Sequence, residues 1–427
     1  MFGCRRIRAS AVHSGCGCEP GILKARGEYW KQTGFIWEKP SIAGKTGKPD
    51  MIYFDNAATT LVKPQSVAKA MSSAVNKLGN PGRSGHEAAM DAAEEAYACR
   101  SLAAKLFGVP DPGCVVFCMN ATHALNLAIK SIAGPGDRVV ISGYEHNSVL
   151  RPLTAIGAKI AVAASPLFRQ EDSLAAFRRE LREDTKLAVV NHVSNVFGFV
   201  QPLKEIAQLC RIRGIPLVVD ASQSAGVLPL NITELGAAFI AMPGHKGLYG
   251  PQGTGLLLCG APASPLLEGG SGSESRSRWM PDLLPDRLEA GTLNMPGIAG
   301  LRQGLRFVES NSTEAILTKE RGLLRQAVRY LRELPGVELY ASETGEDQTG
   351  VLSFRVTGED PELTAEKLAK RGIAVRAGLH CAPLAHDTAR SDGTVRLSFS
   401  AFNTPAEVRR FAVILQENLR GNAQFGL

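Results

Sequence analysis

Two polar residues at or shortly after the ends of apolar runs could act together as reactive groups. Lys246 follows the run AAFIAM and lies between two glycines in the stretch PGHKG. A lysine after a buried segment is suited to a lowered pKa and to Schiff-base chemistry, although a surface loop lysine has the same sequence pattern. Asp220 ends the run PLVVD. Because that setting is largely apolar, its carboxylate needs a cationic partner to remain charged.

Three more polar residues follow apolar runs in the same way. Thr122 comes after CVVFCM at the start of a helical stretch. Its hydroxyl and the free N–H groups there could hold a phosphate, or it could be a plain N-cap. His146 follows RVVIS and could stack on an aromatic cofactor or move protons, or be an ordinary loop histidine. Asn195 follows KLAVVN and could hold a phenolic oxygen, or be a turn asparagine.

The elements that must position these residues are seven short apolar runs, most of them separated by helical stretches. The runs are CVVFCM (114–119), RVVIS (138–142), AKIAVA (158–163), KLAVVN (186–191), PLVVD (216–220), AAFIAM (237–242) and TGLLLC (254–259). Continuous apolar strands that alternate with helices are typical of a mostly parallel sheet covered on both faces. Ligands of such α/β sheets bind at the carboxyl ends of the strands. We therefore expect an α/β fold with its site at that edge.

The regions before and after these runs differ in character. Residues 1–50 lack clear periodicity and are predicted to be a poorly ordered N-terminal extension. An alanine-rich helix is predicted over 86–108, a long loop over 264–297 and a helix near 298–333. The strands VLSFRV, IAVRAG and VRLSFS then alternate with helices near 361–371 and 405–419, which indicates a small C-terminal α+β domain.

Charge and composition exclude several classes of protein. The net charge is +7 over 427 residues, but residues 1–50 carry nine Lys/Arg and only four Asp/Glu. The main body is therefore close to neutral, which gives a nucleic-acid role little support. The sequence has no apolar stretch long enough to span a membrane. Nine irregularly spaced cysteines argue against a disulfide framework, so we predict a reducing, cytoplasmic location.

Motifs along residues 51–420 carry a family resemblance. The sequence resembles the cysteine desulfurase and selenocysteine lyase family of class V aminotransferase-fold enzymes, and its short cysteine loop is similar to the group II type. The motifs are YFDNAATT (53–60), NATHALN (120–126), EHNS (145–148), SNVFG (194–198), DASQSAG (220–226), GHKGLYGPQGTG (244–255), EAGTLN (289–294), RAGLHCAP (376–383) and VRLSFSAFNT (395–404).

The resemblance implies a pyridoxal 5′-phosphate (PLP)-dependent transferase of fold type I. Its large PLP-binding domain would cover 66–300, with a mostly parallel seven-stranded sheet, and its small C-terminal α+β domain 301–427. Residues 51–65 would pack with the small domain. The resemblance further implies a homodimer that shares its sites, L-cysteine as the substrate, and a sulfur-acceptor protein in iron–sulfur cluster assembly or other sulfur metabolism.

The resemblance also assigns a role to individual residues. Lys246 would form the Schiff base and move the substrate proton, Cys381 would receive the sulfur as a persulfide, and Arg396 would bind the substrate carboxylate together with Asn195. The remaining cofactor contacts would be Asp220 on the pyridine nitrogen, Gln223 and Asn195 at the phenolic oxygen, His146 on the ring, Ala121, Thr122 and His245 on the phosphate, and Thr292 on the phosphate of the neighbouring subunit. No metal ion is expected.

Two positions depart from the family pattern. Pro243 stands where serine is common, which removes one phosphate hydroxyl, and Leu379 stands where histidine is frequent. His380 and Arg376 could still favour the Cys381 thiolate.

Two rival functions stay open. One is a selenocysteine lyase or another class V enzyme, such as an aminotransferase or an epimerase. The other is a non-catalytic sulfur carrier or metal-binding partner that uses Cys4, Cys16 and Cys18.

Overall fold

The computed structural model of the protein describes residues 51–82 and 84–424. The predicted N-terminal extension, with Cys4, Cys16 and Cys18, lies outside these described residues. None of the helices in the described part of the chain combines the length and the hydropathy needed to cross a membrane.

The larger sheet contains the seven apolar runs that the sequence predicts to be strands. Its strands are β2 (Val115–Cys118), β3 (Arg138–Ser142), β4 (Lys159–Ala163), β5 (Thr185–Asn191), β6 (Leu217–Asp220), β7 (Phe239–Pro243) and β8 (Gly255–Cys259). They lie in the order β2-β8-β7-β6-β5-β3-β4, and β8 is antiparallel to both of its neighbours. The predicted α/β fold with a mostly parallel seven-stranded sheet is confirmed.

Helices cover both faces of this sheet, and apolar side chains from the strands pack against each layer. They are α1 (Gln65–Lys77), α2 (Glu87–Phe107), α3 (Ala121–Ile132), α4 (Asn147–Ala155), α5 (Gln170–Glu180), α6 (Leu203–Ile212), α7 (Ile232–Leu235) and α8 (Met295–Asn311). The alanine-rich α2 begins where the His86 side chain accepts a hydrogen bond from the Ala89 N–H and ends at Gly108 in a left-handed conformation.

The second sheet is smaller and antiparallel. Strands β9 (Val337–Tyr340), β10 (Val351–Val356), β12 (Arg376–Gly378) and β13 (Thr394–Ser398) lie in the order β12-β13-β10-β9. Apolar residues of this sheet share a core with helices α9 (Thr313–Arg332), α10 (Pro361–Lys370) and α12 (Pro405–Gln424). A further helix, α11 (Pro383–Ala389), follows the cysteine loop.

The segment that begins at residue 51 contacts elements that lie far away in the sequence. Strand β1 (Ile52–Tyr53) pairs in parallel with β11 (Ile373–Ala374). Phe54 is fully buried in the core of the smaller sheet, where its ring meets Phe399 and Phe411 edge to face. The boundaries 51–65, 66–300 and 301–427 remain predictions, since these contacts fix no domain limits.

The sequence-based assignment is wrong at two places. The helix predicted near 298–333 is two helices, because Ser312 has a φ of +63° and its hydroxyl caps the next helix at the Ala315 N–H. The predicted strand IAVRAG is divided between two sheets, since Ile373–Ala374 pairs with β1 and Arg376–Gly378 pairs with β13. Helices α1 and α11 and strand β9 were not predicted.

A close contact between two backbone loops fixes the position of Lys246 relative to Asp220. Gly226, at the end of the loop after β6, has a φ of +82°, and a Cβ atom there would lie 2.1 Å from the carbonyl oxygen of Gly247. Only a glycine permits this approach. The loop after β6 therefore packs directly on the backbone beside Lys246.

We expect Gly226→Ala to destabilise the protein far more than Gly214→Ala. Gly214 also has a positive φ (+64°), but a Cβ atom there would meet nothing within 4 Å. Gly214→Ala should cost about 1–2 kcal/mol for the left-handed backbone alone. Gly226→Ala adds the clash with the Gly247 backbone and should cost at least about 2 kcal/mol more. Urea unfolding of both variants measures the difference, and equal costs would contradict the close contact.

Candidate active site

One pocket lies at the carboxyl ends of the central strands of the larger sheet. It brings together eight of the eleven residues that the sequence predicts for the site. Those in its lining are Ala121, Thr122, His146, Asn195, Asp220, Gln223, His245 and Lys246, accompanied by Asn120, Ser148, Asn191, Val193, Ser222 and Pro243. Three predicted residues, Thr292, Cys381 and Arg396, are not part of this lining.

The start of α3 forms one end of the pocket. Asn120 caps this helix, because its Oδ1 accepts a hydrogen bond from the His123 N–H at 2.9 Å. Thr122 is therefore not the N-cap, and its hydroxyl instead lies 2.8 Å from the hydroxyl of Ser148. The first N–H groups of a helix lack intrahelical acceptors, so this end of the pocket is suited to an anion.

Ser148 was missed as a site residue, although the quoted motif EHNS contains it. Its hydroxyl contacts both Thr122 and the His146 ring, the latter at 2.9 Å. Pro243 also lines the pocket and offers no hydroxyl. The pocket nevertheless contains the hydroxyls of Ser148 and Ser222, which the sequence analysis did not identify as site groups.

His146 is held as a neutral ring. Its Nδ1 accepts a hydrogen bond from the Ser148 N–H at 3.0 Å, which caps α4. Desolvation, together with the nearby Lys246, lowers the pKa of His146 to about 4, although Asp220 opposes the shift. A neutral imidazole whose Nδ1 is occupied carries its proton on Nε2.

Lys246 and Asp220 carry the main charges of the pocket. Asp220 is buried, accepts a hydrogen bond from the Ser222 N–H at 2.9 Å, and forms no ion pair with another described residue. Desolvation lowers the pKa of Lys246 to about 8, even though Asp220 acts in the opposite direction. With this pKa, roughly a tenth of Lys246 is the neutral, nucleophilic amine at pH 7, far more than for an ordinary lysine.

A second lysine supports the loop that carries Lys246. Lys63 donates to the carbonyl oxygen of His245 at 2.7 Å and also bonds the hydroxyl of Thr60. The His245 ring contacts the Thr59 hydroxyl at 3.1 Å. Burial lowers the pKa of Lys63 to about 7, and desolvation lowers the pKa of His245 to about 4.

A buried acid lies beneath the pocket. Glu145 is inaccessible to solvent, and its Oε1 accepts hydrogen bonds from the Ser142 hydroxyl (2.6 Å) and the Asn191 N–H (2.7 Å). Burial raises its pKa to about 8, and the nearby Asp220 adds to the shift. Glu145 is thus mostly protonated at neutral pH, so it joins β3 to β5 without adding a full charge.

Arg396 lies beside this pocket rather than in its lining. It is 2% exposed, and its Nη1 and Nη2 donate to the Asn195 carbonyl oxygen and to Asp55 Oδ1, both at 2.8 Å. The remaining nitrogen, Nε, is buried without a hydrogen-bond partner among the described residues. This unpaired N–H can donate a hydrogen bond to a carboxylate oxygen of a ligand.

Cys381 is the one exposed cysteine among the described residues, and it is presented on a tight turn. His380 and Cys381 have φ values of +52° and +56°, a conformation that residues other than glycine seldom adopt. Two hydrogen bonds of 2.9 Å fix the turn to the site, from Asn195 Nδ2 to the His380 carbonyl and from the Asn147 N–H to the Cys381 carbonyl. The backbone of the cysteine turn is therefore held against Asn195, which lines the pocket.

The sequence-based expectation for His380 needs correction. Desolvation and the Arg396 charge lower the pKa of His380 to about 2, and its Nε2 contacts Thr394. The ring is therefore uncharged at neutral pH and adds no positive charge that would favour a thiolate at Cys381. Arg376 is exposed, and its expected influence on Cys381 stays a prediction.

Thr292 is exposed, near the end of the predicted long loop. Thr292 does not line the pocket of its own chain. Its expected contact with the phosphate of a neighbouring subunit remains a prediction.

Comparison with known proteins places this fold and site in a family. Residues 52–411 match the family "Aminotransferase class-V". The chain belongs to the class-V aminotransferase family and, within it, to the cysteine desulfurases, because relatives that carry this name match it along most of its length.

Three similar proteins illustrate the extent of the match. A probable cysteine desulfurase of Xylella fastidiosa is 35% identical, and the match covers 86% of this chain and 91% of that protein. One of Mycolicibacterium paratuberculosis is 34% identical over 89% of this chain, which spans only 57% of that longer relative. The solved cysteine desulfurase of Thermococcus onnurineus, in its apo form, superposes with a TM-score of 0.80 at 31% identity, over 87% of this chain and 95% of its own.

We expect the amine of Lys246 to become reactive at a lower pH than an ordinary lysine. Reductive methylation of the apo protein, followed by peptide mass spectrometry, should give half-maximal labelling of Lys246 near pH 8, because its pKa is lowered to about 8. A lysine model peptide measured alongside should require a pH about two units higher. A profile for Lys246 that coincides with the model peptide would contradict the lowered pKa.

Proposed function

We propose that this protein is a PLP-dependent cysteine desulfurase, which converts L-cysteine into L-alanine and leaves the sulfur as a persulfide on Cys381. The relatives named above carry this activity in their names, and the residues of the pocket fit the cofactor. The observation that carries the proposal is the exposed Cys381 on a turn that is hydrogen-bonded to pocket residue Asn195.

The donor set of the pocket matches the chemical groups of PLP. The N-terminus of α3 with Ala121 and Thr122, together with His245, would hold the phosphate. Asp220 forms no ion pair among the described residues and would pair with a protonated pyridine nitrogen. Beyond these groups, the neutral ring of His146 would stack on the cofactor, while Gln223 and Asn195 would flank its phenolic oxygen.

When bound, PLP supplies an electron sink for the pair released as the substrate Cα–H bond breaks. The side chains of the protein do the rest. Arg396 binds the substrate carboxylate through its free donors, and the neutral Lys246 amine removes the Cα proton. The Cys381 thiolate then forms a bond with the substrate sulfur as the Cβ–S bond breaks, and the electron pair of that bond passes to Cβ, which takes up a proton from solvent. Lys246 returns its proton to Cα, so the carbon skeleton leaves as L-alanine and the persulfide keeps the hydrogen of the substrate thiol.

Several finer features belong to the same proposal. The protein would act as a homodimer in which Thr292 reaches the phosphate in the neighbouring subunit. A separate acceptor protein would collect the sulfur, for iron–sulfur cluster assembly or another sulfur pathway. All described cysteines are free thiols, which suits a reducing, cytoplasmic setting.

We expect Cys381→Ala to abolish sulfur removal from L-cysteine while leaving substrate binding intact. Alanine release should fall by more than about 100-fold, because the nucleophile that takes the sulfur is lost. The visible absorption band of the PLP-loaded protein should still shift on addition of L-cysteine, since Lys246 and Arg396 are unchanged. Alanine is quantified by chromatography after incubation with a reductant.

Cys114→Ala serves as the matched control, because Cys114 is a free, partly buried thiol that lies outside the pocket lining. It should release alanine at the rate of the unaltered protein. Undiminished alanine release by Cys381→Ala would overturn the assignment of the nucleophile. Loss of activity towards L-cysteine with retained release of selenium from L-selenocysteine would instead favour a selenocysteine lyase.

A further inference from the structure

Two free cysteines lie opposite each other at the end of the larger sheet where its parallel strands begin, away from the pocket. The antiparallel strands β2 and β8 pair at this end, and their last paired residues are Val115 and Leu258. Cys114 directly precedes Val115, and Cys259 directly follows Leu258. Continuing the antiparallel register by one residue therefore sets Cys114 against Cys259.

The two cysteines also share a face of the sheet. Side chains alternate between the faces along a strand, so Cys114 lies on the face of Val116, and Cys259 on the face of Leu257. All four residues pack in one apolar cluster. Residues directly opposite each other in antiparallel strands have Cα atoms about 4.5–5.5 Å apart. A disulfide spans Cα separations of about 4.4–6.8 Å, so the pair is placed as a disulfide requires.

Two further observations support the proximity of these thiols. Both cysteines line the same cavity, and Cys114 contributes to the raised pKa of Cys259, although burial is its main cause. Both are free thiols, and Cys114 is partly exposed whereas Cys259 is only 6% exposed. A reagent from solvent therefore meets Cys114 first.

The cavity beside the pair has room for a small molecule. Its volume is about 650 Å³, and its wall includes Ser131, Asp282 and Arg287 in addition to the two cysteines. Arg287 donates to the Ala263 carbonyl oxygen at 2.7 Å and to Asp282 Oδ1 at 2.9 Å. Because Asp282 is almost fully exposed, solvent screens this ion pair, and the guanidinium can still attract a carboxylate of a small ligand.

We propose that Cys114 and Cys259 form a redox modification site, at which a low-molecular-weight disulfide such as glutathione disulfide converts the pair into an intramolecular disulfide. The inference goes beyond the proposed function, because neither thiol lines the pocket and no step of that function uses them. Such a bond would join β2 to β8 and protect both thiols from irreversible oxidation.

The proposed reaction consists of two exchange steps. The Cys114 thiolate attacks one sulfur of glutathione disulfide, which forms a mixed disulfide on Cys114 and releases one glutathione. The Cys259 thiolate then attacks the Cys114 sulfur of that mixed disulfide, forms the Cys114–Cys259 bond and releases the second glutathione. The two protein thiols thus lose two protons and two electrons, and glutathione disulfide takes them up as two glutathione thiols.

The surroundings of the two thiols make this exchange slow under reducing conditions. Burial, together with the nearby Asp111, raises the pKa of Cys114, and burial raises the pKa of Cys259 to about 12. Since the thiolate is the attacking species, little of either cysteine reacts at neutral pH. We therefore expect the pair to respond to an abundant oxidant.

The test treats the folded, full-length protein with glutathione disulfide at about pH 8.5, where more of each thiol is ionised. The remaining thiols are alkylated, the protein is digested without reduction, and the peptides are identified by mass spectrometry. A peptide pair joined through Cys114 and Cys259 should exceed the glutathione adduct on Cys114 by about tenfold or more, because the second step is intramolecular. A non-reducing gel distinguishes this bond from one between two chains.

Single substitutions separate the two steps. Cys259→Ala should hold the reaction at the mixed disulfide, with glutathione retained on Cys114. Cys114→Ala should leave Cys259 unmodified, because the buried thiol has lost its partner. Cys210→Ala is the matched control, since Cys210 is a buried free thiol on α6 outside this cavity, and it should form the same bond as the unaltered protein.

The exposed Cys381 shows whether the oxidant is active, so the incubation continues until Cys381 is oxidised. Absence of the Cys114–Cys259 bond at that point would overturn the inference. So would a bond that forms only after the protein is unfolded in urea, a bond between two chains, or a glutathione adduct that persists on Cys114 of the unaltered protein. If Cys259→Ala does not fold, Cys259→Ser removes the same thiol with a side chain of similar size.

Discussion

The site depends on one buried guanidinium. Arg396 comes from a strand of the smaller sheet, yet it is bonded to Asp55, which follows the first strand, and to the backbone of Asn195, which follows a strand of the larger sheet. Burying a cation without hydrogen-bond partners costs much free energy. The buried guanidinium therefore requires the three segments to lie together. The same arrangement leaves Nε of Arg396 without a hydrogen-bond partner, and this is the group that would bind a carboxylate in the proposed function.

The polar groups of the pocket remain available to bind a ligand, because the fold leaves them without a full set of partners. Asp220 forms no ion pair among the described residues, and desolvation keeps a fraction of Lys246 as the free amine. His146 and Glu145 are also mostly uncharged at neutral pH, for the same reason. A cofactor with a cationic ring nitrogen, an aldehyde and a phosphate would complete these groups.

Much of the fold could be predicted from sequence because its signals are local. Seven apolar runs gave the seven strands, and polar residues at their ends gave most of the pocket lining, since the carboxyl ends of parallel strands meet at one edge. The errors arose where tertiary contacts override local pattern. Ser312 interrupts an otherwise continuous helical sequence, and the run IAVRAG is shared between two sheets.

The sequence by itself determined the order of the elements and the family, and it predicted the reactive residues, because each depends on residue type and on spacing along the chain. Only the tertiary structure decided which of them meet. It placed Asp55 against Arg396, 341 residues away, and it fixed the turn of Cys381 to Asn195. It also buried His380 beside Arg396, which lowers the pKa of its ring. Long-range contacts and desolvation depend on what surrounds a side chain, and spacing along the chain does not contain that information.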